Sequence, residues 1–154
     1  MKTVVVYDTT HGNTKAIAEA IAQGLENART VPVTQFRRSD VSPGDLLVVG
    51  SPINGWRPTP AVTEALATAA QAPLAGIMAA AFDTRVKLFI HGDAAKKISR
   101  SLQKAGATVV GQPMPFYVKG TEGPLLEGET TRALSWGREL LATVKAHESR
   151  KSAS

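Results

Sequence analysis

A chain of 154 residues, 43% hydrophobic and 20% charged, has the size and composition of one globular domain with enough length for a two-faced α/β core. It contains no cysteine, which excludes thiol catalysis, disulfides, thiolate metal sites and cysteine-based phosphatase chemistry. The net charge of +5 and pI near 9.7 invite a nucleic-acid reading, but aromatic content is 5% and no nucleic-acid motif is present, so no nucleic-acid partner is expected.

The lysines and arginines are spread along the chain with one local excess, six against Asp93 between Arg85 and Lys104, which reads most simply as a solvated helix face. The three valines after Met1-Lys2-Thr3 are too few for a secretory core, and no run approaches the ~20 apolar residues that cross a bilayer. A cytoplasmic protein without a membrane span is expected.

Taken in order, Val4-Val5-Val6-Tyr7 predicts a first strand, and Ile17, Ala20, Ile21 and Leu25 predict the buried face of a helix that begins near Asn13. Between them lies the hydroxyl-rich turn Asp8-Thr9-Thr10-His11-Gly12-Asn13-Thr14. The first amides of a helix lack intrahelical partners and carry the positive end of its dipole, so such a turn holds an anion without a lysine or a metal. Thr9, Thr10, Asn13 and Thr14 add short donors, and Gly12 admits close approach and a positive φ. The spacing is neither that of a Walker loop nor G-x-G-x-x-G, so a phosphomonoester suits it better than a triphosphate with magnesium. The plainer alternative is a cluster of helix-capping residues in a domain without a ligand.

Residues 30–36 predict a second strand, placed at an edge because Pro32 cannot donate to a ladder. Leu46 to Gly50 is apolar throughout, as in a central strand covered on both faces. The loop Ser51-Pro52-Ile53-Asn54-Gly55-Trp56-Arg57-Pro58 follows, and Thr59 as N-cap with Pro60 at the first helical position predicts a helix to about Ala70. Residues 76–82 predict a fourth strand ending in Asp83-Thr84-Arg85. Asp93 to Lys104 predicts a helix on Ile98, Leu102 and Ala105, stopped by Gly106. Residues 107–110 open a fifth strand, and Phe116 to Val118 resume its pairing after Pro113 and Pro115. A last helix buries Ala133, Trp136, Leu140 and Val144. The domain is expected over 1–148, with a polar tail over 149–154.

The pattern apolar, apolar, Tyr7, any, Thr9, two residues, Gly12, any, Thr14, three residues, Ala18, two residues, Ile21 resembles the phosphate loop of the flavodoxin family. The Leu-acid-Gly-acid entry to the last helix, Leu126 to Glu129, is similar too, so the resemblance covers nearly the whole chain. It implies a doubly wound three-layer α/β/α sandwich around a five-stranded parallel sheet of order 2-1-3-4-5. The ligand crevice of that order lies between strands 1 and 3, flavodoxin with FMN being its familiar instance. By resemblance the cofactor is FMN, its phosphate held by Thr9, Thr10, His11, Gly12, Asn13 and Thr14. Its ring lies between the loop Ser51, Pro52, Ile53, Asn54, Gly55, Trp56 and the segment Phe82, Asp83, Thr84, Arg85. Trp56 looks like the stacking aromatic, its alternative being packing on its own loop, and the Asn54-Gly55 peptide looks like the one that turns to accept a hydrogen bond from flavin N5.

Two departures stand out. No tyrosine lies between Phe82 and Gly92 as a second stacking partner, Phe89 being the nearest aromatic. Arg57, Arg85 and Lys87, if near the ring, favour an anionic reduced flavin by ~1 kcal/mol each and make the last reduction step less negative than in acidic carriers. The expected function is an electron carrier between a reductase and an acceptor enzyme, both presenting acidic surfaces. An FMN-dependent NAD(P)H:quinone-type oxidoreductase and a cofactor-free interaction module of this fold are the alternatives. A phosphoacceptor reading fails because Gly50-Ser51 stands where the aspartate is needed, and His11, His91 and His147 have no hydrolase context, so no catalytic residue and no metal ligand is assigned.

Overall fold

The computed structural model describes residues 1–54, 56–87 and 92–153. The chain runs β1 (Thr3–Tyr7), α1 (Asn13–Leu25), β2 (Arg29–Pro32), two one-turn 3-10 helices (Val33–Gln35 and Arg38–Asp40), β3 (Leu46–Pro52), α2 (Pro60–Gln71), β4 (Met78–Val86), α3 (Ala94–Lys104), β5 (Thr108–Val109), β6 (Met114–Val118) and α4 (Glu129–Ala153). All strands pair in parallel, in the order β2-β1-β3-β4-β5. The expected doubly wound order is therefore present, with helices on both faces. Among the described residues, no helix is long and apolar enough to cross a membrane.

Strand alternation divides the core in two. Val4 and Val6 of β1, Leu47 and Val49 of β3 and Ala79 and Ala81 of β4 pack with Val62, Leu66, Ile98 and Leu102 from α2 and α3. Val5, Tyr7, Leu46, Val48, Met78, Ala80 and Phe82 pack instead with Ile17, Ile21, Leu25, Trp136, Leu140 and Val144 from α1 and α4. This is why the central strands are apolar at every position rather than at alternate ones.

On the second face, Phe82, Phe116 and Trp136 form a triangle of edge-to-face rings with centroids 6.0–6.2 Å apart. Gly50 makes room for it: a Cβ there would lie 2.0 Å from the Phe82 ring. Helices α1 and α4 also meet at glycines, since a Cβ on Gly24 would stand 2.1 Å from the Leu134 carbonyl oxygen and one on Gly137 2.4 Å from that of Ile21.

Four elements differ from the sequence expectation. The second strand stops at Pro32, opposite Tyr7, and the chain turns into a 3-10 helix instead of running to 36. Pro32 has no N–H with which to extend the ladder, and β1 itself ends at Tyr7. The fourth strand runs to Val86 rather than 82, because β3 reaches Pro52 alongside Thr84 and because Asp83 and Arg85 neutralise each other. The fifth position of the sheet is filled by two strands in succession, β5 beside Met78 and Ala79 and β6 beside Phe82 to Val86. Pro113 and Pro115 interrupt what would otherwise be one ladder. The last helix continues to Ala153, through the residues expected to form a polar tail.

Candidate functional site

The carboxyl ends of β1, β3, β4 and β6 surround a crevice of about 280 Å³. Its first wall is the turn between β1 and α1. Gly12 stands at the helix N-cap with φ +87°, a left-handed conformation that any other residue would adopt only under strain, and an added Cβ would meet nothing within 4 Å. No side chain caps α1, which leaves its first-turn amides without a side-chain partner beside the crevice that Asn13 and Thr14 line. Thr9 orders the turn by accepting the Gly12 N–H at 2.9 Å, while its own N–H donates to Asp8. Thr10 and His11 stand exposed beside it.

Thr14 and Asn13 are committed to the scaffold as well as to the crevice. The Thr14 hydroxyl is buried and 2.7 Å from that of Thr84, a bond that ties the anion turn to β4. The Asn13 amide donates to the Glu122 carbonyl at 3.2 Å and ties the same turn to the loop after β6.

The second wall is the loop after β3. Ser51 is fully buried; its hydroxyl donates to the Pro52 carbonyl and accepts the Thr59 N–H at 3.0 Å, so it closes the loop at its base. Thr59 caps α2 by accepting the Val62 N–H, as its position before Pro60 predicts. Asn54 and Arg57 exchange backbone hydrogen bonds of 2.7 and 3.1 Å across a tight turn. Trp56 sits on that turn at φ +73° and is 55% exposed. Gly55, with the peptide expected beside flavin N5, lies outside the described residues. So does Phe89.

The third wall comes from β4. Thr84, Arg85 and Val86 line the crevice, whereas Phe82 and Asp83 do not: both are fully buried, Phe82 in the aromatic triangle and Asp83 beneath Arg85. These two, with Ser51, stand behind the crevice rather than on it, and Asn54 and Gly12 shape its backbone without lining it. Thr9, Thr10, His11, Asn13, Thr14, Pro52, Ile53, Trp56, Thr84 and Arg85 do meet around the crevice. Val86, Gly92, Val118 and Thr121 complete it without having been singled out from the sequence. Val118 ends the last strand and Thr121 follows it, so the rule that ligands sit at the carboxyl ends of strands points to them. Gly92 admits no side chain, because a Cβ would fall 2.3 Å from the Trp56 backbone.

Arg85 is the charged centre of the site. Its guanidinium donates to both oxygens of Asp83, at 2.9 and 2.5 Å, and to Asp93 at 3.0 Å. Asp83 also accepts the Ala95 N–H, and Asp93 caps α3 through the Lys96 N–H. Burial pushes the Asp83 carboxyl above the ordinary aspartate value, against the hydrogen bonds and charge of Arg85, while the two carboxylates outweigh burial at Arg85 and hold its proton more firmly. The fork-to-fork contact is that of an ionised pair. Its consequence corrects the electrostatic expectation: with two carboxylates on it, Arg85 adds little net positive charge to the crevice. Lys87 is exposed and lies over the Tyr117 ring, 5.4 Å from its centroid.

Anion-binding amides at one end, an exposed indole with Ile53 and Val86 beside it and threonine hydroxyls between them suit a flat aromatic ligand that carries a phosphate. The described residues that define the crevice therefore fit FMN in chemical type.

A family model described as a flavodoxin domain matches residues 4–111. Among solved structures, the chain is similar to a flavodoxin from the domain Archaea at 24% identity, over 94% of this chain and 99% of that one, with a TM-score of 0.79. It is similar to oxidised flavodoxin 1 from Bacillus cereus at 20% identity, over 92% and 98% of the two chains, with a TM-score of 0.79. It also matches a part of rubredoxin oxygen:oxidoreductase from Desulfovibrio gigas, at 17% identity over 94% of this chain and 36% of that one, with a TM-score of 0.75. No curated protein matches the chain. The structural likenesses carry the fold, and the family model carries the kinship.

Proposed function

The chain belongs to the flavodoxin family, and from that premise we propose that it is an FMN-binding electron carrier working between a reductase and an acceptor enzyme. When bound, FMN supplies the redox chemistry, and the protein supplies position and electrostatics. The observation that supports this most is the uncapped start of α1 behind a left-handed Gly12, on the same crevice as the exposed Trp56.

In this reading the first amides of α1, with the Thr10 hydroxyl, hold the phosphomonoester, and the Thr14–Thr84 and Asn13–Glu122 bonds keep that turn in register with the other walls. Trp56, Ile53 and Val86 keep water from the ring. Asp83 and Asp93 hold Arg85 at the crevice with its charge compensated, so that the site binds a neutral ring as well as a reduced one. Arg57, Lys87 and Lys97, which donates to the Trp56 carbonyl, remain as cations around the rim, and the last reduction step is less negative than in an acidic carrier.

A carrier exchanges electrons with proteins and not with nicotinamide directly. The FMN-loaded protein should keep its oxidised spectrum with NADH or NADPH alone and lose it when a catalytic amount of an NADPH-dependent flavoprotein reductase is added. Bleaching by the nicotinamide alone would contradict the carrier and favour an oxidoreductase.

A further inference from the structure

Charge is mixed or sparse on three of the four helices and segregated on the other. Helix α1 carries Lys15 with Glu19, α2 carries Glu64, and α4 carries Arg132, Arg138, Lys145, Arg150 and Lys151 with Glu129, Glu139 and Glu148 among them. Helix α3 exposes Lys96, Lys97, Arg100 and Lys104 and contains no acid, while Ala94, Ala95, Ile98 and Leu102 are fully buried on its other face. Among the described residues none of the four bases pairs with a carboxylate, although Asp83, Asp93, Asp40 and Glu129 all pair elsewhere. Lys97, Arg100 and Lys104 follow the three- and four-residue spacing of one helix face, a stripe of roughly 10 Å.

The stripe begins at the crevice. Lys97 Nζ donates to the Trp56 carbonyl at 3.1 Å, and Trp56 both lines the crevice and, among the described residues, is one of two large apolar side chains left exposed. Unpaired like charges on adjacent turns repel each other, and a partner of opposite sign removes that cost while it steers encounter. A tryptophan beside such a patch is the residue type that most often anchors a protein interface.

We propose that the α3 face, together with the Trp56 turn, is the docking surface for a partner protein that presents a cluster of aspartate and glutamate carboxylates. The proposal rests on the reading of the crevice as a flavin site for what docking achieves, since it brings the partner to the rim at Trp56; the association itself is measured without the flavin chemistry.

The test uses an oxidised acidic [2Fe–2S] ferredoxin as the probe protein, titrated at low salt into the 15N-labelled FMN-loaded chain and, separately, into the flavin-free chain. Amide shifts should concentrate on residues 94–104 and on Trp56, and should shrink as salt is raised. Arg100→Glu with Lys104→Glu should weaken binding about five- to tenfold, while Lys145→Glu with Arg150→Glu, the same change of net charge on α4, should leave it nearly unchanged. Shifts spread over all basic surfaces, equal losses in the two double variants, or no response at α3 would overturn the proposal. So would tighter binding of a short DNA duplex at the same residues, which would assign the patch to nucleic acid. Failure of FMN itself to bind would count against the flavin reading, and α3 shifts in the flavin-free chain would still decide the docking surface.

Discussion

Glu129 accepts the Tyr117 N–H at 2.7 Å and two hydrogen bonds from Arg132, at 3.0 and 2.8 Å. Arg132 in turn donates to the Pro115 carbonyl and lies over the Phe116 ring, 4.6 Å from its centroid, so one carboxylate fastens β6 to the start of α4. Burial opposes the charge on Glu129, but Arg132 and the Tyr117 N–H outweigh it and hold the carboxyl below the ordinary glutamate value. A depressed folded-state value means that this stabilisation is complete above the ordinary glutamate range and is lost as pH falls through the lowered value. Glu129→Gln should cost about 1 kcal/mol near neutral pH, discounted because Arg132 is part-exposed, and urea titrations should show the gap from the parent chain closing as pH is lowered through that window. A gap that stays constant down to low pH would show that the carboxylate charge is not what joins the two elements. Asp83 has the opposite sign: its raised value means that folding loses stability as pH rises from the ordinary aspartate range toward the raised one, where Arg85 must then compensate the buried charge.

At the scale of elements, the two glycines where α1 and α4 meet set how closely these helices lie. Gly24→Ala would place a methyl group against the backbone of α4, which cannot move aside as a side chain can. The helices would have to separate along a face that buries Ile17, Ile21, Leu140 and Val144, and thermal unfolding should report a loss of about 2–3 kcal/mol or more. An unchanged melting temperature would mean that the contact is looser than the backbone distances indicate. Strands β1 and β3 and helices α1, α2 and α3 were legible in the sequence because their apolar periodicity, N-caps and terminating glycine all agree. The far half of β4 was not, because Asp83-Thr84-Arg85 reads as a polar loop until the side chains are seen to neutralise each other within the sheet. Phe82 was expected at the end of that strand, among the residues of the crevice; its ring packs instead in the core against Phe116 and Trp136. Ser51, Asn13 and Thr14 show a further limit, since residue type marks a polar group near a ligand loop but not whether that group faces the ligand or braces the loop. The contributions of Val118, at the end of β6, and of Thr121, in the loop after it, depend on a segment whose sequence has no ligand motif and whose position is set only by topology.

At the scale of the whole molecule, the parallel sheet brings the anion turn, the Trp56 loop and the end of β4 together at its carboxyl end, and α3 carries away from it a basic face that, among the described residues, pairs with no carboxylate. In the proposed reading, phosphate recognition and partner docking fall on different helices, while Trp56 belongs to both the ring contact and the docking surface. The central claim is that the α1 turn holds the phosphate of a flavin. Its most direct test is titration of the flavin-free protein with FMN and, in parallel, with riboflavin, which has the same ring and lacks the phosphate, read by quenching of flavin fluorescence. The account predicts that FMN binds about a hundredfold more tightly than riboflavin, a difference of ~2.7 kcal/mol supplied by the helix start and its hydroxyls. Equal affinity for the two, or no binding of either, would contradict it.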